Sequence, residues 1–171
     1  MSSARPWALV ACLLLVPATV LASTPSKIAV LDFELSDLTL TPNSTQELAR
    51  TASLRGLLEQ ALSERSEARL VRVSSADQQA ADQGFGYLFD HPEAAASLAA
   101  QSEADYVVVG RLHKPSDLFA YLRVHLVQVG SGRVVGDYVV EVKGAVPALT
   151  QRGVSTLAKN IDGTLRVAAT Q

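Results

Sequence analysis

Apolar and polar positions change rhythm several times along the chain, and each rhythm predicts an element. Lys27 to Glu34 is a short run in which Ile28, Ala29, Val30, Leu31 and Phe33 are apolar. Its β-branched and aromatic content, with polar residues on both sides, predicts the central buried strand of an α/β sheet. Residues 35–42 mix polar and apolar types and read as a loop with at most a short extended piece. Ser44 then stands three residues before Glu47, the spacing of a capping box in which each side chain satisfies the other's free backbone amide. The helix it opens spaces Leu48, Ala52, Leu54, Leu57, Leu58, Ala61 and Leu62 by threes and fours, a buried face, with Arg50, Arg55, Glu59 and Glu64 on a solvated one.

The pattern then repeats with variations. Residues 68–73 form a second strand, residues 76–82 a second helical stretch, and Gly84 and Gly86 interrupt the chain around Phe85. Asp90, followed by Pro92 and Glu93, predicts an N-cap for an alanine-rich helix over 91–102. Residues 105–113 contain Tyr106-Val107-Val108-Val109, apolar throughout as in a strand covered on both faces. Residues 119–129 and 133–143 alternate strictly, predicting two half-buried strands joined at Gly130-Ser131-Gly132. Pairing Val129 with Arg133 across that turn sets His125 opposite Asp137 on an open face. Val154, Leu157, Ala158, Ile161 and Leu165 mark one face of a closing helix. The expected fold is α/β with α+β character: a single mixed sheet of about five strands, in the order strand-helix-strand-helix-strand-strand-strand-helix, with helices over at least one face.

The opening of the chain has another texture. Arg5 precedes an apolar run from Trp7 to Val16, Pro17 breaks it, and Val20-Leu21-Ala22 has the small-residue pattern of a signal-peptidase site. Residues 1–22 are therefore expected to be a cleaved signal peptide and residues 23–171 a single domain of roughly 150 residues, large enough for its own core. A retained membrane anchor is the competing reading, but the stretch from Trp7 to Leu21 is short for a span and contains Pro17. Leu9-Val10-Ala11-Cys12 has the residue types of a lipoprotein processing box, yet Cys12 follows Pro6 too closely for a hydrophobic signal core. Lipid anchoring at Cys12 is not expected. As the only cysteine, Cys12 leaves with the signal, so the exported chain has no thiol chemistry and no disulfide. That suits a bacterial periplasm. A net charge of −2 without a basic block, and few aromatics, exclude the footprint of a nucleic-acid binder.

The chemistry-bearing motifs of phosphate loops, dinucleotide-binding turns, zinc proteases and nucleophile elbows are absent from the sequence. His91, His113 and His125 are scattered over three elements, so neither a metal site nor a cofactor is expected, and no catalytic residue is assigned. Three surfaces remain as candidates. Asp32, Glu34 and Asp37 end the first strand while His113, Lys114, Ser116 and Asp117 follow the third. If those strands are parallel neighbours, Asp32, Asp37, His113, Lys114 and Asp117 gather at the sheet edge where open α/β sheets bind ligands; the alternative is a set of solvated strand ends. Arg123, His125, Asp137 and Glu141 share the open face of the hairpin, as cross-strand charge pairs or as a polar site. Phe85, Tyr87 and Phe89 either fold inward over the core or form a partner-binding patch.

Three segments carry a resemblance: Lys27-Ile-Ala-Val-Leu-Asp-Phe-Glu34, Ala104-Asp-Tyr-Val-Val-Val-Gly-Arg-Leu-His-Lys114 and Val129-Gly-Ser-Gly-Arg-Val-Val135. With the order of elements, they make the chain similar to a family of uncharacterised bacterial periplasmic proteins carrying a domain of unknown function. More distantly it resembles the amino-terminal domain of TolB and the α/β domains of outer-membrane assembly lipoproteins such as CsgG. The resemblance implies a fold and an address but transfers no catalytic residue. The expected function is an exported, non-enzymatic periplasmic module that binds a protein partner in the cell envelope or an exported enzyme system. The alternative is a small-molecule binder or weak hydrolase using the edge near Asp32 and His113.

Overall fold

A computed structural model describes residues 25–170, so the signal-peptide expectation over residues 1–22 and the placement of Cys12 lie outside the described residues. The chain forms β1 (Lys27–Val30), β2 (Glu34–Asp37), α1 (Thr45–Ser63), β3 (Arg69–Val71) and α2 (Ser75–Ala81). It continues through α3 (Tyr87–Asp90), α4 (Pro92–Ala100), β4 (Tyr106–Lys114), β5 (Phe119–Gln128), β6 (Arg133–Lys143) and α5 (Pro147–Ala169). One mixed sheet runs β3-β1-β4-β5-β6, with β2 as a sixth strand that also pairs β4. β1 and β2 both lie parallel to β4, and the two hairpins are antiparallel. The α/β mixed sheet expected from the pattern is therefore present, with one strand more than the five counted.

The extra strand comes from a break in the first apolar run. Val30 sits opposite Val108 and Glu34 opposite Arg111, so β1–β2 holds one residue more than β4 over that span. Two side chains complete the break. The Gln78 amide takes over the missing ladder contacts, accepting from Asp32 N at 2.7 Å and donating to Asp32 O at 3.0 Å. The Phe33 ring lies on Gly110, where a Cβ would collide with it. The expectation of one unbroken strand from Lys27 to Glu34 at the sheet centre is corrected on both counts. The central strand is β4, bordered by β1 and β2 on one side and β5 on the other.

Helices cover both faces. α1 and α5 enclose Ile28, Val30, Leu54, Leu58, Leu122, Leu157 and Ile161 on one face, all fully buried. α2, α3 and α4 cover the other, where Ala29, Ala95, Ala99, Val107 and Val109 pack with Leu88 and Phe89. Ser44 caps α1 by accepting from Glu47 N at 3.3 Å, but the reciprocal half of the expected capping box is missing because the Glu47 side chain turns inward. Arg50, expected on the solvated side of α1, is buried, while Leu48, expected inside, is half exposed. Asp90 does not cap the alanine-rich helix: it ends the short α3, and α4 starts after His91 with Pro92 in its first turn. His125 does face Asp137, through two compensating departures. The turn pairs Gln128 with Arg133, one residue from the expected register, and a bulge at Val135 restores it.

Candidate functional site

β2 and β4 end together at the pole of the sheet where ligand sites of open α/β sheets form, whereas β1 stops at Val30, opposite Val108 and well short of it. Alternation decides what their last residues do. On β4, Leu112 and Lys114 point toward α1 and α5, and Arg111 and His113 toward the opposite face. The five residues expected to gather here divide into three places.

Lys114, Asp37 and Asp117 do meet. The Lys114 ammonium donates to Asp117 at 2.9 Å and lies 3.7 Å from Glu47 and 4.0 Å from Asp37. Glu47 in turn accepts from Arg50 Nη1 at 3.2 Å, and Arg50 Nε donates to Thr150 Oγ1 of α5 at 3.0 Å. Burial opposes the charge on Lys114, but its hydrogen bond to Asp117 and the carboxylates of Glu47, Asp37 and Asp117 outweigh it and raise its pKa. Asp37 shows the mirror effect. Burial raises its pKa, yet bonds from Thr39 Oγ1 at 2.7 Å, Thr39 N at 3.1 Å and Asn43 N at 3.0 Å, with Lys114 nearby, bring it below the ordinary 3.8. Each charged group is held by another in the same cluster. The arrangement joins the ends of β2 and β4 to the first turns of α1 and α5, as a polar plug at that pole.

Asp32 belongs to a second set. Its carboxylate accepts from Arg55 at 3.2 Å and from the Ser75 hydroxyl, and Arg55 also donates to Val73 O at 2.7 Å and to Glu59 at 3.0 Å. Arg55 lies two turns along α1 from Glu47, roughly 12 Å by helix rise, so the two sets do not share a pocket. Asp32, Arg55, Arg72 and Ser75 line an open depression instead. His113 stands apart on the other face, with Nδ1 3.2 Å from Ser36 Oγ and its ring tilted 6.5 Å from Tyr121. Among the described residues, no group of three or more His, Cys, Asp or Glu is placed to hold a metal ion.

The aromatic turn divides between inside and outside. Leu88 and Phe89 are buried, Tyr87 is half-buried, and Phe85 stays exposed. Its mount is a charged residue that the sequence reading passed over. Arg111, which interrupts the apolar run of β4, places its guanidinium 4.8 Å from the Phe85 ring centre and 4.6 Å from that of Phe89. Glu34 holds both partners, accepting from Arg111 Nη2 at 3.2 Å and from Gly86 N at 2.8 Å. Gly86 has φ +86°, and a Cβ there would meet Arg111 Nη2 at 2.7 Å, so the turn requires glycine. His125 closes the set from β5: its ring stacks 4.0 Å from Phe89, Nδ1 donates to Phe89 O at 3.2 Å, and Nε2 faces Asp137 at 3.5 Å. The hairpin face expected to be open is partly covered here by α3. Glu47, Arg50 and Thr150 were missed because helical spacing marks which residues share a face, not which polar ones turn inward; a charge inside an apolar strand, as at Arg111, was the readable signal.

Comparison with solved structures places this fold among several bacterial proteins. The PelC dodecamer from Paraburkholderia phytofirmans is 18% identical with a TM-score of 0.53, over 82% of this chain and 88% of that one. The hypothetical protein CT253 from Chlamydia trachomatis is 13% identical with a TM-score of 0.55, over 83% and 99%. Lipoprotein GNA1162 from Neisseria meningitidis is 15% identical with a TM-score of 0.53, over 80% and 96%. Identities this low establish shared architecture alone. No helix among the described residues is long and apolar enough to cross a membrane. Among curated proteins none matches the chain. Residues 26–161 match the model of DUF3280, described as a protein of unknown function (DUF2380), and the chain belongs to this family, as its three sequence segments imply.

Proposed function

We propose that this chain is an exported, non-enzymatic binding module of the bacterial cell envelope, and that it docks a protein partner through the aromatic turn at Phe85. The observation that carries the reading is the mount of that side chain. Phe85 is about two-thirds exposed, yet Arg111, Glu34 and Gly86 hold its base in one arrangement. An aromatic ring held outward on a base that Arg111, itself only 13% exposed, braces from beneath is an apolar anchor of the kind enriched at protein interfaces. Tyr87 flanks the ring, and Phe89 serves from inside as the surface on which Arg111 rests. The charged residues at the sheet pole support the same reading by their mutual pairing, since each is already engaged in holding elements together. Among proteins of similar fold, one is a dodecamer and one a lipoprotein, which supports assembly with other chains and an envelope address.

The test is a crosslinking pull-down from intact cells, comparing the wild type with Phe85→Ala. One dominant envelope protein captured by the wild type, and reduced at least tenfold by Phe85→Ala without loss of fold, is the expected result. Equal capture by both would remove the aromatic turn as the docking site, and capture of nothing would remove the partner reading itself.

A further inference from the structure

The two edges of the sheet are built unequally. β3 at one end is three residues long, whereas β6 at the other runs for 11 residues and, among the described residues, pairs only with β5. Every second residue of such a strand turns its N–H and C=O away from its neighbour. Among the described residues, no loop backbone and no side chain is hydrogen-bonded to those groups of β6. Long edges are ordinarily blunted by proline, by a covering segment or by a bulge. β6 has no proline, and its bulge at Val135 lies near its start, which leaves Gly136 to Lys143 regular. Val139, in the middle of that segment, is exposed. The neighbouring helix does not close the edge either. α5 packs against α1 on one flank, and on the other Tyr138, Asn160, Gly163 and Val167 line an open depression beside the strand.

Charge decides what fits this edge. When β6 pairs antiparallel with its own copy about a two-fold axis, partnered residues must both turn their backbone groups outward, so their numbers differ by an even count. Two such registers use nearly the whole regular segment. With Val139 on the axis, Asp137 falls opposite the second copy's Glu141, twice, and like charges directly opposite destabilise a strand pair. With Val140 on the axis, Asp137 falls opposite the second copy's Lys143, twice, while Val140 meets its own counterpart and Tyr138 meets Val142. The order of charges therefore rejects one register and is self-complementary in the other. Both ionic groups are presented outward: Asp137 is 66% exposed and 3.5 Å from His125, and Lys143 is 76% exposed and 3.7 Å from Glu141. An unrelated strand would have to reproduce this charge order, whereas a second copy brings it. From these observations we infer that β6 is the contact between two copies of this chain, joined antiparallel about a two-fold axis at Val140 into one continuous sheet. None of these residues belongs to the mount of Phe85, so self-association and partner docking stand or fall separately.

The experiment is sedimentation equilibrium of the exported chain, as wild type and as two charge reversals, Asp137→Lys and Lys143→Asp. The wild type is expected to show a monomer–dimer equilibrium. Each reversal sets like charges opposite each other at both ends of the contact and should weaken the dimer at least tenfold. Because both side chains are exposed, the two variants should unfold at the wild-type denaturant midpoint under dilute conditions where all three are monomeric. Mixed in equal amounts, the variants should associate with each other. The lysine introduced in one then faces the aspartate introduced in the other, and the native Asp137 and Lys143 pair at the far end. A wild type that stays monomeric at millimolar concentration would overturn the inference, as would undiminished dimers of both variants. So would a mixture that associates no more than its components do alone.

Discussion

The two faces of the sheet are built differently. On one, the long helices α1 and α5 bury leucines and isoleucines at complete depth, with Leu58, Leu157 and Ile161 fully enclosed. On the other, short segments with alanines at Ala95, Ala96 and Ala99 approach the sheet closely, and a four-residue helix carries Phe89 just after a glycine-loosened connection. The first face holds the domain together; the second holds up a surface. Large side chains in a layer of long helices leave cavities that cannot collapse when truncated, whereas a layer of short helices can move inward. Leu157→Ala should therefore lower the unfolding free energy by about 4 kcal/mol, and Leu88→Ala by only about 2 kcal/mol, both read from urea denaturation. Equal losses would mean that the alanine-rich layer is as rigid as the other and that the contrast is one of size alone.

The thinner face depends on backbone geometry to a degree the thicker one does not. Gly86→Ala imposes a left-handed conformation on an L-residue and pushes its Cβ onto Arg111 Nη2 and toward Asp90. Left-handed backbone costs roughly 1–2 kcal/mol for a non-glycine residue. Arg111 is the end of a flexible side chain and can retreat, so the expected loss is about 2 kcal/mol, with the larger consequence local. Arg111 leaves the Phe85 ring and Glu34 loses its amide partner. Capture of the proposed partner should fall as it does for Phe85→Ala, while the core of the α1/α5 face stays intact. Stability lost without any change in capture would separate the aromatic turn from binding.

The elements of both faces were readable from hydrophobic period, since the long apolar stripes of α1 and α5 and the alternation in β5 and β6 leave few alternatives. Two features were not, and a third was readable but passed over. The break after Val30 depends on Gln78 and Phe33 reaching in from elsewhere, and a one-residue insertion between parallel strands has no local signature. The division of the pole followed from the same two-residue period that identified β4: neighbours His113 and Lys114 must point to opposite faces, so a shared site for both conflicts with a regular strand. The inward turn of Glu47 and Arg50 was hidden because a capping residue and a helix-surface arginine look alike in sequence whether solvated or buried. Their spacing of three residues permitted the pair, and only the fold shows Lys114 and Thr150 waiting for it.

The polar plug belongs to the thicker face and gives the comparison its most delicate test, because its contribution depends on pH. The Asp37 pKa is lowered in the folded chain, the hydrogen bonds from Thr39 and Asn43 and the charge of Lys114 outweighing burial. A group of that kind adds stability fully present above its unfolded value, near 3.8, and loses it as pH falls through the lower folded value. Lys114 runs the other way: with its pKa raised, its contribution is complete below the ordinary 10.5 and fades as pH climbs through the folded value. Between those limits Asp37 and Lys114 both keep the charge that their partners stabilise. Asp37→Asn keeps the shape and part of the hydrogen bonding but removes the charge, and should cost on the order of 1 kcal/mol at pH 7. The same variant should lose less of its stability than the wild type as pH falls below about 3.8, so the two acid-unfolding curves converge there. Parallel curves would show that Asp37 is protonated at its ordinary value, and the joint between β2, β4 and the two long helices would then rest on apolar packing without help from the plug.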